Sequence, residues 1–271
     1  MRINFIFVLA LTIIGASAGM AQPRQQKMPL NTLDGILPVK AQVSAEKYLG
    51  KSCLHVVDTG MSNNAGGLEV AHAKIKNLRF HNGDIELELA AKPLAAAGEL
   101  ARGFVGIAFR IADDESKFEC IYLRPTNGRA EDQVRRNHSV QYYSYPDYPW
   151  HRSRKETPEK YESYVDLVAG EWTKIRIEVE GDKARLYVHG AVQPTLIVND
   201  LKHGPDQAGA IGLWIGYGTD AHFANLIVTR PKTNVIGKRN VSRHPMSSTG
   251  MLKRPALHIV IKTAENGISY R

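Results

Sequence analysis

The chain has 271 residues, 43% hydrophobic and 23% charged, which is enough to bury a sizeable core and too apolar for an intrinsically disordered chain. Its two cysteines, Cys53 and Cys120, exclude a disulfide framework; they allow at most one bridge, and both lie in apolar runs where a buried thiol is an ordinary core residue. The formal net charge of +8 suggests a polyanion partner until it is located: residues 230–271 hold nine Lys and Arg against Glu265 alone, so the body is nearly neutral and a nucleic-acid role is set aside.

Taken in chain order, Met1–Ala21 runs from Arg2 through the apolar stretch Phe5–Ile14 to the small residues Ala16, Ser17, Ala18, Gly19 and Ala21. This is the tripartite pattern of a secretory signal, expected to be cleaved after Ala21 and to deliver a periplasmic or extracellular protein. The apolar stretch is shorter than the roughly 20 residues of a spanning helix, so no transmembrane anchor is expected after cleavage. Residues 22–32 read as a polar linker. From residue 33 to 230, short runs of period two alternate with turn residues and read as strands, the clearest being Leu54–Val57, Ile85–Ala90, Phe104–Ile111, Phe118–Leu123, Thr173–Glu180, Ala184–His189, Ile211–Tyr217 and His222–Thr229. The Ala-rich segment Lys92–Ala101 is the one expected short helix. Many strands without alternating helices indicate an all-β antiparallel sandwich or barrel. Residues 231–271 read as a basic C-terminal tail.

Most of the reactive side chains crowd between Glu119 and Asp166, where the 125–165 segment reads as a long inserted loop too polar and aromatic to fill a core. The alternation places Phe118, Cys120, Tyr122 and Arg124 on one strand face, and sets Trp214 among Gly212, Gly216 and Gly218 as a flat platform. Sugar rings stack their C–H faces on aromatics while their hydroxyls need convergent polar groups. Candidate ligand contacts are therefore Arg110, Tyr122, Arg124, Asn137, His138, Gln141, Trp150, Arg154 and Trp214. The arginines at 124, 129, 135, 136, 152 and 154 suit carboxylate or sulfate, so an anionic polysaccharide is among the expected partners; pairing with loop carboxylates is the alternative.

Glycoside hydrolysis needs two carboxyl groups flanking the bond. Asp84, Glu86 and Glu88 share one strand face, which reads more simply as the solvated side of a half-buried strand. Weak catalytic candidates are Glu119, His138 and Glu156, with Asp147 and Glu162 as further acids; neighbouring arginines are expected to disfavour the charged form of His138. The ten histidines show no close spacing of the zinc-site kind. No cofactor is required by this reading.

The segments Phe80–Glu86, Gly170–Thr173, Gly209–Trp214 and Phe223–Leu226, in that order along the chain, resemble the concanavalin A-like lectin and glucanase superfamily, in particular its laminin-G-like and 3-keto-disaccharide hydrolase-like domains. The resemblance covers roughly residues 33–230 and implies a two-sheet jelly-roll sandwich with a concave carbohydrate-facing side. It also implies a structural calcium, for which Asp220 and loop carbonyls are candidate oxygen ligands. The expected function is an exported carbohydrate-binding protein; the alternatives are a hydrolase of glycosidic bonds at the same site and a structural or protein-binding adhesion module.

Overall fold

The computed structural model describes residues 24–60 and 70–231. The signal segment and the basic tail lie outside the described residues. Fifteen strands appear in order: β1 (Arg24–Met28), β2 (Ile36–Val39), β3 (Ala41–Tyr48), β4 (Lys51–Asp58), β5 (His72–Phe80), β6 (Gly83–Pro93), β7 (Val105–Ile111), β8 (Phe118–Leu123), β9 (Val140–Tyr145), β10 (Glu162–Ser163), β11 (Thr173–Glu180), β12 (Lys183–Val188), β13 (Leu196–Val198), β14 (Gly209–Ile215) and β15 (Thr219–Arg230). Two short helices, α1 (Gln133–Asn137) and α2 (Trp150–Glu156), flank β9. No helix among the described residues is long and apolar enough to cross a membrane.

The strands form the two antiparallel sheets of a jelly-roll sandwich. One sheet runs β13-β12-β11-β6-β15-β4-β3, with β1 also paired to β15; the other runs β10-β9-β8-β7-β14-β5-β2. Alternation explains the layering. In β11, Ile175, Ile177 and Val179 are buried between the sheets while Lys174 and Glu180 are exposed. The opposing sheet supplies Ile107, Phe109, Ile121, Tyr142 and Leu213 to the same core.

Four expectations need correction. Residues 24–28 are not linker: β1 pairs with Leu226–Arg230, its polar residues Arg24–Lys27 staying exposed while Met28 packs against the core. The Ala-rich segment forms no helix, because Lys92 and Pro93 continue β6 and turns follow. The 125–165 segment is not one loop: β9 pairs with all of β8, from Leu123 opposite Val140 to Phe118 opposite Tyr145. Its sequence hides the strand because both faces are covered, so polar and apolar residues do not alternate. Finally, Arg110 and Ile111 exchange the faces that simple alternation gives them. Arg110 has a φ of +55°, and the register with β14 slips by one residue there, so Ile111 joins Ala108 and Trp214 on the outer face.

The two cysteines do not pair. Both are buried thiols outside any disulfide. Cys53 lies between the core residue Leu54 and Ser52 on one sheet, and Cys120 belongs to the outer-face cluster of the other, so the whole sandwich separates them.

Candidate functional site

The outer face of the β9-β8-β7-β14 sheet carries an aromatic layer built on one glycine. Cross-strand pairing sets Trp214 opposite Gly106, Gly106 opposite Tyr122, and Tyr122 opposite Gln141. Because Gly106 has no side chain, the rings of Trp214 and Tyr122 close over it to 4.9 Å, with Tyr143 at 5.8 Å from Tyr122 and 5.7 Å from Trp214. Trp214, expected as a bare platform, is 1% exposed, and it communicates with the pocket below through Tyr122.

Where β8 ends, this layer opens into a cavity of about 460 Å³. Its walls are Phe104, Tyr122, Trp150 and Tyr217, with Arg102, Arg124, Arg135, Arg154, Asn127, Asp132 and His138 between them and Leu100 and Val134 at the margin. The elements that place these groups are the chain entering β7, the end of β8, the short helix α1 and the helix α2. Asp132 caps α1 by accepting from the Arg135 backbone N–H at 3.0 Å.

Beneath the cavity lies an ordered polar layer. Tyr122 donates its hydroxyl to Gln141 Oε1 at 2.6 Å, and Arg124 Nη2 donates to the Tyr122 oxygen at 2.6 Å and to Gln141 Oε1. Arg124 also donates to the His138 carbonyl at 3.1 Å and lies 4.8 Å from the Tyr122 ring centre. Glu162 is the anion at the centre: its side chain is 4% exposed, 3.3 Å from Arg124, 2.6 Å from Arg154 and 3.5 Å from His138 Nε2. Arg154 in turn lies over Trp150 at 5.1 Å. Burial holds the His138 pKa below the ordinary histidine value, and Arg154 and Arg124 push the same way against Glu162. The arginines that matter are thus brought by folding and are not the sequence neighbours Arg135 and Arg136.

Charge is unevenly answered here. Arg124 and Arg154 share Glu162, while Arg135 bonds to the neutral acceptors Asn127 Oδ1 and Thr126. Arg102 donates to the carbonyls of Glu99 and Ala101, and burial followed by repulsion from Arg135 and Arg124 lowers its pKa. A guanidinium does not give up its proton in proteins, so the cluster keeps its positive charge, offset at Arg102 in part by the Glu99 carboxylate.

Of the expected contacts, Tyr122, Arg124, His138, Trp150 and Arg154 line the cavity, and Gln141 supports it from behind. Asn137 lies outside the lining, held by Gln133 at 2.7 Å on the exposed side of α1. Arg110 is brought elsewhere: it donates to the carbonyls of His81, Gly204 and Gly181 and to Asn82 Oδ1, clamping together the β5–β6, β13–β14 and β11–β12 connections. Glu119 is fully buried on the core side of β8, accepting from Tyr142 at 2.7 Å and from the His203 backbone at 2.9 Å, and Glu156 pairs with Arg152 on the surface. Neither lines the cavity. Asp84 and Glu86 pair with Arg176 and Lys174, and Glu88 with Lys51, as the solvated face of β6. Sequence reasoning missed Arg102, Phe104 and Tyr217. Their signal is weak, since each stands at a strand end whose neighbours only the sheet order supplies.

Asp220 lies on the other sheet, 2.7 Å from His55 Nε2 and 4.0 Å from His222 Nδ1. Its neighbours are these two imidazoles and the Lys92 ammonium at 3.8 Å, which do not fit the six to eight oxygens of a calcium cage.

No protein-family model matches the chain, and no curated protein does. Among solved structures it is similar to the carbohydrate-binding module CBM66 from Bacillus subtilis (12% identity, covering 72% of this chain and 95% of that one, TM-score 0.43). It is also similar to the Bacillus licheniformis β-glucanase (14%, 76% and 98%, TM-score 0.46) and to a galectin-like protein of unknown function from Bacillus subtilis (12%, 78% and 100%, TM-score 0.45).

Proposed function

We propose that this protein is a carbohydrate-binding jelly roll whose cavity takes an acidic saccharide, one carrying carboxylate or sulfate. The observation that carries the reading is Arg102, whose guanidinium donates to the main-chain carbonyls of Glu99 and Ala101 inside a cavity already holding Arg124, Arg135 and Arg154. An anionic group entering there gains charge-assisted hydrogen bonds that the resting pocket lacks. The walls of Phe104, Tyr122, Trp150 and Tyr217 supply the flat apolar surface a pyranose ring needs. Hydroxyl partners come from Asn127, Asp132 and His138, the last as a neutral imidazole able to donate or accept. Recognition is favoured over hydrolysis because glycoside hydrolysis uses a pair of carboxyl groups, whereas the carboxylate among the residues lining the cavity, Asp132, is engaged in capping α1. We also propose that the protein is exported, with cleavage after Ala21, on the strength of the tripartite N-terminus.

The test is a glycan array of the mature protein spanning neutral, uronic-acid and sulfated oligosaccharides, with calorimetry and product analysis on every hit. Binding of acidic glycans without new products supports the reading. Preference for neutral glycans removes the role given to Arg102, new reducing ends convert the cavity into an active site, and no hit moves the assignment to a protein-binding module.

A further inference from the structure

On the outer face of the opposite sheet, three neighbouring strands bring two histidines and two carboxylates together. His222 of β15 pairs in register with His55 of β4, and Glu46 of β3 lies diagonal to His55, two residues beyond its partner Ser44. The imidazole rings stack 4.4 Å apart and nearly parallel at 2°, with Tyr48 stacked on the far side of His222 at 3.8 Å. Glu46 turns one carboxylate oxygen to each ring: Oε2 is 3.2 Å from His55 Nδ1 and Oε1 is 2.9 Å from His222 Nε2. Asp220 takes the other nitrogen of His55, at 2.7 Å from Nε2.

We propose that His55, His222 and Glu46 form a site for a divalent transition metal of the zinc class. One atom from each of the three lies within 4.8 Å of the others. Ligands about 2.0–2.1 Å from a tetrahedral zinc stand about 3.3–3.4 Å from one another; the two separations from Glu46, 2.9 and 3.2 Å, are close to that edge, and because the imidazoles stack nearly parallel one ring turns about its Cβ–Cγ bond for both nitrogen lone pairs to meet a single ion. Donor count argues the same way. A neutral imidazole has a single N–H, yet His55 faces a carboxylate oxygen at both ring nitrogens. A metal on Nδ1 resolves the conflict and leaves Nε2–H to donate to Asp220. That is the arrangement in which a carboxylate behind a ligating histidine fixes its tautomer and orientation, and it makes Asp220 a positioning residue rather than a ligand. Two imidazoles with one carboxylate suit zinc better than calcium or magnesium. Glu46, with 39% of its side chain exposed, keeps the fourth position toward solvent, whereas His222 at 5% anchors the site.

The experiment is calorimetric titration of chelator-treated, full-length mature protein with zinc chloride, repeated with calcium and magnesium chloride and followed by the visible spectrum of the cobalt-loaded protein. We expect one zinc per chain, a cobalt spectrum of four-coordinate type, and loss of both in His55→Ala and Glu46→Ala. Both substitutions lie on accessible strands, and circular dichroism verifies that the sheets persist. Asp220→Asn keeps all three ligands and is expected to weaken zinc about 10- to 100-fold. Absence of zinc uptake by the folded wild type overturns the proposal. So does undiminished uptake by His55→Ala and Glu46→Ala, which places the metal on other histidines, and so does a preference for calcium over zinc.

Discussion

Trp214 and Tyr122 pack their rings 4.9 Å apart across Gly106, the residue that stands between them in the sheet. A Cβ at Gly106 would lie 2.3 Å from the Ile121 carbonyl and 2.6 Å from the Tyr122 Cα, so even a methyl group forces β7 and β8 apart at the edge of the cavity. Gly106→Ala is expected to destabilise the protein by about 3 kcal/mol, the upper end for overpacking, and to weaken saccharide binding. Urea unfolding with an unchanged m-value checks the first, and calorimetry the second.

Glu162 is the one carboxylate shared by Arg124 and Arg154 under the cavity, and both it and Arg124 are buried. Removing a member of a buried pair leaves its partner's charge uncompensated, a loss of about 3–5 kcal/mol. Glu162→Ala is expected at the lower end of that range, because Arg154 is about one-third exposed and finds water. A smaller loss than 1 kcal/mol in denaturant titration would show that the network does not hold the pocket.

If an anion meets Arg102, then Arg102→Ala lowers affinity for an acidic oligosaccharide by about 1.5–3 kcal/mol, as for a hydrogen bond to a charged group, and flattens the dependence on salt. Trp150→Ala removes the ring under Arg154 and lowers affinity for acidic and neutral glycans alike. Equal salt dependence in wild type and Arg102→Ala would count against the charge argument.

His72 is 1% exposed, with Nδ1 at 2.7 Å from the Val70 carbonyl, and burial lowers its pKa below the ordinary value. The unfolded chain therefore takes up a proton as pH falls through about 6.5 while the native state resists it. Stability is full above that pH and declines from there toward the lowered native pKa, with His138 adding in the same sense. Unfolding free energies measured between pH 7.5 and 5, a span set around that value, are expected to fall, and His72→Asn to reduce the slope.

Arg110 spreads one guanidinium over three carbonyls and Asn82, at 2.7–3.1 Å. Arg110→Lys keeps the charge but loses the planar fork, so it is expected to destabilise nearly as much as Arg110→Ala, by about 3 kcal/mol. Thermal melts of the two variants that differ widely would indicate that charge alone is what the turns require.

The sequence by itself determined the all-β class and eight of the strands, because a strand with one face in the core and one in water writes its period into the residues, as Ile175, Ile177 and Val179 do in β11. It also put Tyr122 and Arg124 on one face and drew attention to the 125–165 segment through its crowded arginines and aromatics, although Tyr142, Tyr148 and Tyr161 of that segment turn out to fill the core. Only the tertiary structure decided the rest. β9 was invisible because Val140–Tyr145 is covered on both faces, and β1 because four of its five residues stay exposed and write no period. Arg110 left the site through a bulge that no local signal marks, whereas Arg102, Phe104 and Tyr217 entered it through sheet order. The His55 and His222 pair lies 167 positions apart in the chain and in register across two strands. Periodicity reports which way a side chain points; which other side chain it meets depends on strand order, which is fixed by long-range burial.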